Sequence, residues 1–342
     1  MKKINAIFLA LVLLLLTPCA AVSGATGATG ATGAAQLDTP LNKTAQYVVE
    51  TVKQPAVSSI GGEWAILGLA RSGYNVPKSY YETYYKAVES YVKERKGVLH
   101  DKKYTEYSRV IIGLTAAGYD PRNVAGYDLT APLGDYEKTI WQGLNGPIWA
   151  LIALDSGDYA IPKSTGTQAT RDLYIDEILR CQLPDGGFNL TAGANGAKIG
   201  SGETSDPDLT GMAVQALAKY QDKTKIKQAI NKALTRLSKM QDADGGYKSW
   251  GNENSESVVQ ALVALCEAGV SLDDPRFVKN GHTLLENLLS FQNGDGSFNH
   301  TGSGSGDSMM ATEQALYGMA AANRAAKGES SLYRIITAEK KK

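Results

Sequence analysis

The sequence predicts an all-α protein, an (α/α)6 toroid of six helical hairpins, and three observations carry that prediction. One loop is written three times, as Gln182-Leu-Pro-Asp185-Gly-Gly-Phe188, Gln241-Asp-Ala-Asp244-Gly-Gly-Tyr247 and Gln292-Asn-Gly-Asp295-Gly-Ser-Phe298. Self-similarity of this kind marks a repeat architecture before any single residue is weighed. Six helix-like segments also carry a small residue followed by Leu at one phase: Gly68-Leu69, Gly113-Leu114, Ala153-Leu154, Ala216-Leu217, Ala261-Leu262 and Ala315-Leu316. Apolar residues surround each pair on nearly every side, as in Val258-Val259-Gln260-Ala261-Leu262-Val263-Ala264-Leu265. A helix apolar all round is buried all round. Finally, amphipathic segments with charged faces lie between these, and strand-like alternation is scarce.

The first residues are read apart from the fold. Met1-Lys2-Lys3 is basic, Ile4 to Leu16 is almost wholly apolar, and small residues follow from Ala20 to Ala25. That order is a secretory signal peptide over 1–25, its apolar run too short to span a bilayer comfortably. Cys19 raises lipidation, although Pro18 before it fits a lipobox poorly. Residues 26–38, rich in Gly, Ala and Thr, read as a flexible linker. The toroid is expected over 39–326 and a polar tail over 327–342. Once the leader is removed, Cys181 and Cys266 remain. A domain of this size does not depend on disulfide staples, so both read as core thiols.

The outer helices are expected at Leu41 to Gln54, Tyr80 to Lys96, Tyr136 to Leu144, Thr170 to Gln182, Thr224 to Gln241 and Pro275 to Gln292. Ile226, Ile230, Ala233, Leu234 and Leu237 make a clear stripe at helical spacing. The Gly-rich stretch from Asn189 to Gly202 reads as an irregular loop. In the repeated loop, Asp-Gly ends a helix because Gly reaches positive φ without a Cβ penalty. The aromatic can then fold into the seam between helices, and the Gln amide can bond exposed helix-end groups. An open solenoid of the same hairpins is the alternative to a closed ring.

These loops resemble the repeat shared by squalene–hopene and other terpene cyclases, protein prenyltransferase β subunits, and the cobalamin carriers related to transcobalamin and intrinsic factor. The resemblance covers about Leu41 to Arg324. Secreted bacterial members with segments like Gly61-Gly62-Glu63-Trp64-Ala65-Ile66-Leu67-Gly68-Leu69-Ala70 look closest to the carriers. A class II cyclase would carry Asp-x-Asp-Asp-Thr, whose middle Asp delivers a proton to an alkene. Here Asp206-Pro207-Asp208-Leu209-Thr210 keeps that acid as Asp208 and puts Leu209 where the next Asp would stand. The same residues make a good helix start, with Pro in the first turn and acids near the positive end of the dipole. A prenyltransferase would need a zinc set of Asp, Cys and His. His100, His282 and His300 do not fall beside a cysteine at ligand spacing, and a thioester Cys-Gly-Glu-Gln does not occur. Asp242-Ala-Asp244-Gly245 and Asn293-Gly-Asp295-Gly296 resemble pieces of calcium loops without the terminal Glu, so no metal site is expected.

The chain carries 35 basic and 35 acidic residues and 43% hydrophobic residues, enough for a large core. That balance argues against a nucleic-acid partner. The expected site is the mouth of the ring where the inner helices begin: Glu63, Trp64, Tyr107, Trp149, Asp208, Ser255, Glu256, Met309 and Glu313. A concave, mostly apolar site with a few convergent polar groups suits a small ligand. The resemblance implies a secreted or surface-associated, non-catalytic module that binds a small molecule, with cobalamin the expected ligand. A separate β-rich domain or a transporter component would be its partner. The competing expectation is an enzyme, either a degenerate cyclase using Asp208 or a polysaccharide-active toroid using a pair drawn from Glu63, Glu256 and Glu313. A purely structural surface module is the third.

Overall fold

The computed structural model describes residues 29–304 and 308–335; the signal peptide expected at 1–25 lies outside them. Among the described residues run twelve α-helices: α1 (Thr29–Thr51), α2 (Glu63–Ser72), α3 (Lys78–Glu94), α4 (Thr105–Ala116), α5 (Tyr136–Ile140), α6 (Asn145–Ser156), α7 (Arg171–Arg180), α8 (Pro207–Leu217), α9 (Thr224–Met240), α10 (Ser255–Ala268), α11 (Leu284–Ser290) and α12 (Ser308–Ala326). A two-residue hairpin, β1 (Lys248–Ser249) with β2 (Asn252–Glu253), precedes α10. The even-numbered helices pack in sequence, and α12 returns onto α2. The ring is closed, and the open solenoid is set aside.

The inner helices bury nearly all of their surface. From Ser255 to Leu265 every residue of α10 is buried. The outer helices bury one stripe, as α9 does with Ile226, Ile230, Ala233, Leu234 and Leu237. The small residue before each repeated Leu lets inner helices approach closely. A Cβ on Gly68 of α2 would sit 2.7 Å from Leu316 Cγ of α12, at the seam that closes the ring.

The repeated loop is a clasp between hairpins. Its glycines Gly186, Gly245 and Gly296 have φ of +93°, +86° and +96°, and its aromatics Phe188, Tyr247 and Phe298 are fully buried. The Gln amides reach the next element of the outer layer; Gln241 meets a helix end there, the last carbonyl of the 3-10 turn Pro275–Phe277, while Gln182 and Gln292 meet carbonyls inside helices. Gln182 Nε2 donates to the Ala229 carbonyl of α9 at 2.8 Å, and Gln241 Nε2 to the Phe277 carbonyl at 2.9 Å. In the third copy, Gln292 Nε2 donates to the Pro40 carbonyl of α1 at 3.0 Å, and Thr44 Oγ1 donates back to the Gly296 carbonyl at 2.8 Å. The last clasp therefore fastens the sixth hairpin to the first. Each buried bond adds on the order of 1 kcal/mol.

Three boundaries differ from expectation. Helix α1 begins at Thr29, inside the 26–38 linker, and its Leu37 and Leu41 are buried. The last outer segment breaks into a 3-10 turn at Pro275–Phe277 and α11. Asn280 and Gly281 both take positive φ there, a tight turn, and Thr283 with Glu286 then caps α11 with a capping box. The tail expected over 327–342 is not merely polar: Leu332, Tyr333 and Ile335 are buried against the end of the ring opposite the inner-helix N-termini. Arg71 holds that segment by donating to the carbonyls of Ser330, Ser331, Leu332 and Arg334.

Candidate functional site

The first turns of the inner helices converge on one mouth, which holds two adjoining cavities. One, of about 220 Å³, is lined by Trp64, Glu106, Arg109, Asn145, Trp149 and Tyr317. The other, of about 370 Å³, is lined by Asp208, Ser249, Trp250, Asn254, Glu256 and His300. Met212, Gln260 and Gln314 line both and form the ridge between them.

The aromatic cavity rests on a ring cluster. The Trp64 centroid lies 5.0 Å from that of Trp149 and 6.0 Å from that of Tyr317. The Arg109 guanidinium lies 5.6 Å from the Trp64 centroid, within cation–π range. Glu106 Oε2 is buried there without a hydrogen-bond partner.

In the acid cavity, Asp206 caps α8, its Oδ1 accepting from Leu209 N at 3.0 Å, with Pro207 as the first helical residue. That frees Asp208, one position inside the first turn, to face the cavity. Its Oδ1 is buried and has no hydrogen-bond partner. Burial pushes its carboxyl up to about 6, and the charges of Asp206 and Glu256 push the same way; the nearby hydroxyls of Ser257 and Ser249 oppose them. Across the cavity, His300 Nδ1 lies 2.9 and 2.8 Å from the two oxygens of Glu256. Ser255 Oγ sits 3.0 Å from Glu256 Oε2 and fixes that carboxylate further.

The other expected residues fall elsewhere or serve the frame. Glu63 is fully buried behind the wall. It accepts from Ser58 N at 2.9 Å and pairs with Arg109, Nε to Oε2 at 3.0 Å. Its carboxyl is raised by desolvation, which the Arg109 charge counters. Glu313 accepts from Gly61 N at 2.8 Å, joining α12 to the loop before α2. Tyr107 faces away from the mouth, accepting from Leu99 N at 3.0 Å and lining a groove on the outer surface. Met310 rather than Met309 lines the acid cavity. Cys181 and Cys266 are free thiols, and desolvation pushes the Cys181 thiol up to about 12.

Sequence reasoning missed Ser249, His300 and the glutamines. The signal for the first two is an offset from the clasp. Ser249 and His300 each stand two residues past the buried aromatic, Tyr247 or Phe298. Each reaches back to an acid on the preceding inner helix: Ser249 Oγ donates to Asp206 Oδ2 at 3.0 Å, and His300 meets Glu256. The clasp is therefore also a supplier of site residues. Gln215, Gln260 and Gln314 each directly precede an Ala-Leu pair and form a bonded column along the ring. Tyr333 Oη donates to Gln215 Oε1 at 3.0 Å, Gln215 Nε2 to Gln260 Oε1 at 3.1 Å, and Gln260 Nε2 to Gln314 Oε1 at 3.2 Å.

No protein-family model matches this chain, and no curated protein matches it significantly. Solved structures do. An Arg-to-Ala variant of MstE, a type II terpene cyclase from Scytonema in complex with its substrate geranylgeranyl dihydroxybenzoate, is similar at TM-score 0.58 and 14% identity, over 86% of this chain and 99% of that one. An Asp-to-Asn variant of UGL with dGlcA-Glc-Rha-Glc is similar at TM-score 0.58 and 10% identity, over 88% and 99%. A Glu-to-Ala glycosidase variant in complex with glucose is similar at TM-score 0.52 and 14% identity, over 84% and 98%. At these identities the likeness speaks for architecture: this chain has the all-α toroid fold that terpene cyclases and glycosidases share.

Proposed function

We propose that the mouth is the active site of an enzyme that hydrolyses a glycosidic bond, with Asp208 as its proton donor. The observation that carries this reading is the Asp208 carboxyl. Its Oδ1 is buried and unpartnered, and it shares one open cavity with the Glu256–His300 pair. A carboxyl that keeps its proton to about pH 6 can protonate a leaving oxygen. Glycosidic cleavage then needs a second group to activate water or meet the positive charge developing at the sugar carbon. Glu256, oriented by His300 and Ser255, suits that role. As the bond between the sugar carbon and the leaving oxygen breaks, the Asp208 proton goes to that oxygen. Water supplies hydroxyl to the carbon, and its remaining proton passes to Glu256.

The walls support a saccharide. Asn145 and Gln314 present amides toward the cavities for sugar hydroxyls, and Trp64 and Trp149 offer apolar ring surface. Two of the similar structures hold sugars. The cyclase reading would use the same acid on an alkene. Against it, Asp206 is occupied with capping α8, Leu209 replaces a carboxylate, and the amide-lined ridge suits a polyene poorly. Corrinoid binding draws no support from the similar structures described above, and cavities of about 220 and 370 Å³ suit sugar rings better than a macrocycle. The signal peptide read in the sequence would send such an enzyme to extracellular polysaccharide.

The test is a reducing-end assay on the mature protein with a panel of oligosaccharides, beside Asp208→Asn and Glu256→Gln. Cleavage by the wild type that both variants lose supports the reading. Cleavage that survives Asp208→Asn, or turnover of a geranylgeranyl substrate instead, would overturn it.

A further inference from the structure

We propose that Trp250 is a sugar-stacking platform at the outer edge of the acid cavity, so that the substrate is a saccharide chain running from Trp250 over Asp208 toward the Trp64–Trp149 pair. This rests on reading the mouth as a saccharide site.

Trp250 is the first tip residue of the β1–β2 hairpin, in which Ser249 pairs with Asn252. The two tip residues, Trp250 and Gly251, have φ of +53° and +82°. Two positive φ values in a two-residue loop make a type I′ turn, which favours Asn-Gly because only small or locally bonding side chains take this backbone cheaply. A bulky aromatic at such a position is strained. Burial does not offset the strain, because Trp250 is 95% exposed. The strained, solvent-facing indole therefore contributes nothing to the fold.

Its position is nonetheless fixed. Ser249, the residue before it, donates to Asp206 at 3.0 Å and lines the cavity beside Asp208. Beyond the tip, Asn254 caps α10 by accepting from Ser257 N at 2.8 Å and donates to the Asn252 carbonyl at 3.1 Å. Both stems of the hairpin are thus tied to the first turns that carry Asp208 and Glu256. The indole is held at the rim of the cavity that they line, with Asn252 and Asn254 on the same wall. An exposed indole beside the Asn252 amide fits a pyranose: the apolar face of the ring stacks on the indole and an equatorial hydroxyl meets the amide. A lipid would want a continuous apolar floor, and Asp208, Glu256 and His300 interrupt it. Trp64 and Trp149 belong to the adjoining cavity, across the ridge of Met212, Gln260 and Gln314. A ligand that used both platforms would have to be a chain.

The decisive variant is Trp250→Asn, which restores the residue preferred in this turn while removing the platform. Its melting temperature should equal or exceed that of the wild type. Its KM for a long oligosaccharide should rise about tenfold, the loss of one aromatic contact, with kcat little changed and a smaller rise for a disaccharide. Trp250→Phe should recover most of the loss. An equal change in KM for short and long substrates, or none for either, would overturn the platform. If the wild type cleaves neither substrate, the hydrolase reading falls by itself. Electrophoresis through native gels cast with soluble glucans, xylan and uronate-rich gums then decides the platform. Retardation of the wild type but not of Trp250→Asn in one of these gels supports it, and equal migration in all of them overturns it.

Discussion

The two halves of the ring are built to one plan and differ in what they do with it. In α2, α4 and α6 the residue before the small-Leu pair is Leu67, Ile112 or Ile152; in α8, α10 and α12 it is Gln215, Gln260 or Gln314. The first half lacks the Gln-x-x-Asp-Gly clasp, and the second half carries it three times. Their acids diverge as well. Glu63 on α2 is buried with Arg109 3.0 Å away and a backbone N–H on its other oxygen, which partly counter the desolvation that raises its carboxyl. Asp208 on α8 is nearly as enclosed and has no cation beside it, so its carboxyl keeps a proton to about pH 6. Acids near the helix starts are thus a salt-bridged fastening in one half and, in the proposed function, a proton donor in the other. What separates them is the neighbouring arginine of Glu63, and the half that preserves the repeat is the half to which the proposed chemistry is assigned.

The sharpest way to break this contrast is to neutralise each acid in turn. Asp208→Asn should lower glycosidic cleavage by about 10²–10⁴-fold, the usual contribution of a general acid, read as kcat/KM. The same variant should be more stable than the wild type at pH 7, by up to about 2 kcal/mol in denaturant unfolding. Glu63→Ala should do the reverse on stability. It leaves the Arg109 guanidinium, whose side chain is 19% exposed, without its carboxylate, and should cost about 3 kcal/mol. A stable Glu63→Ala protein would show that the two acids are not different in kind.

The pH dependence follows with a definite sign. The folded Asp208 carboxyl titrates above its ordinary value, so the folded state holds its proton more tightly than the unfolded chain does. Its contribution to stability is therefore full below the ordinary carboxylate range and is lost as pH rises from about 4 through 6. Activity that needs the protonated acid should fall about tenfold per pH unit above 6. Asp208→Asn should flatten the Asp208 part of the stability curve, as thermal unfolding across that window would show. The smallest effect expected is at the clasp. Gln292→Ala removes donation to the Pro40 carbonyl and to Thr44 Oγ1, and should cost about 1–2 kcal/mol. It would loosen the closing seam while leaving the α8–α10 site in place.

Much of the fold was legible because repetition amplifies weak signals. One Asp-Gly pair is an ordinary turn, but three in register with Gln before and an aromatic after define a joint. The six small-Leu pairs located all six inner helices, and α9 was foreseen within one residue of its observed end at Met240. The site was legible only in outline. Asp208, Glu256, Trp64 and Trp149 were named and do line the mouth, whereas Glu63, Glu313, Tyr107 and Met309 were named on the same grounds and do not. Position at a helix start cannot distinguish an acid aimed at the cavity from one aimed at a neighbouring loop, since a single residue is worth about 100° of rotation around the helix. His300 and Ser249 follow the clasp's own periodicity, but the loop's role as a joint does not mark them as site residues.

By itself, then, the sequence determined the architecture: the period of its loops and the all-round apolar character of six segments leave little but a ring of hairpins with its inner layer buried. Only the tertiary structure decided what each polar residue is for. Burial and pairing depend on residues far away in the chain, such as Arg109 for Glu63, His300 for Glu256 and Tyr333 for Gln215. No local pattern records which of two like carboxylates will find an arginine, and the proposed chemistry is placed on the one that does not.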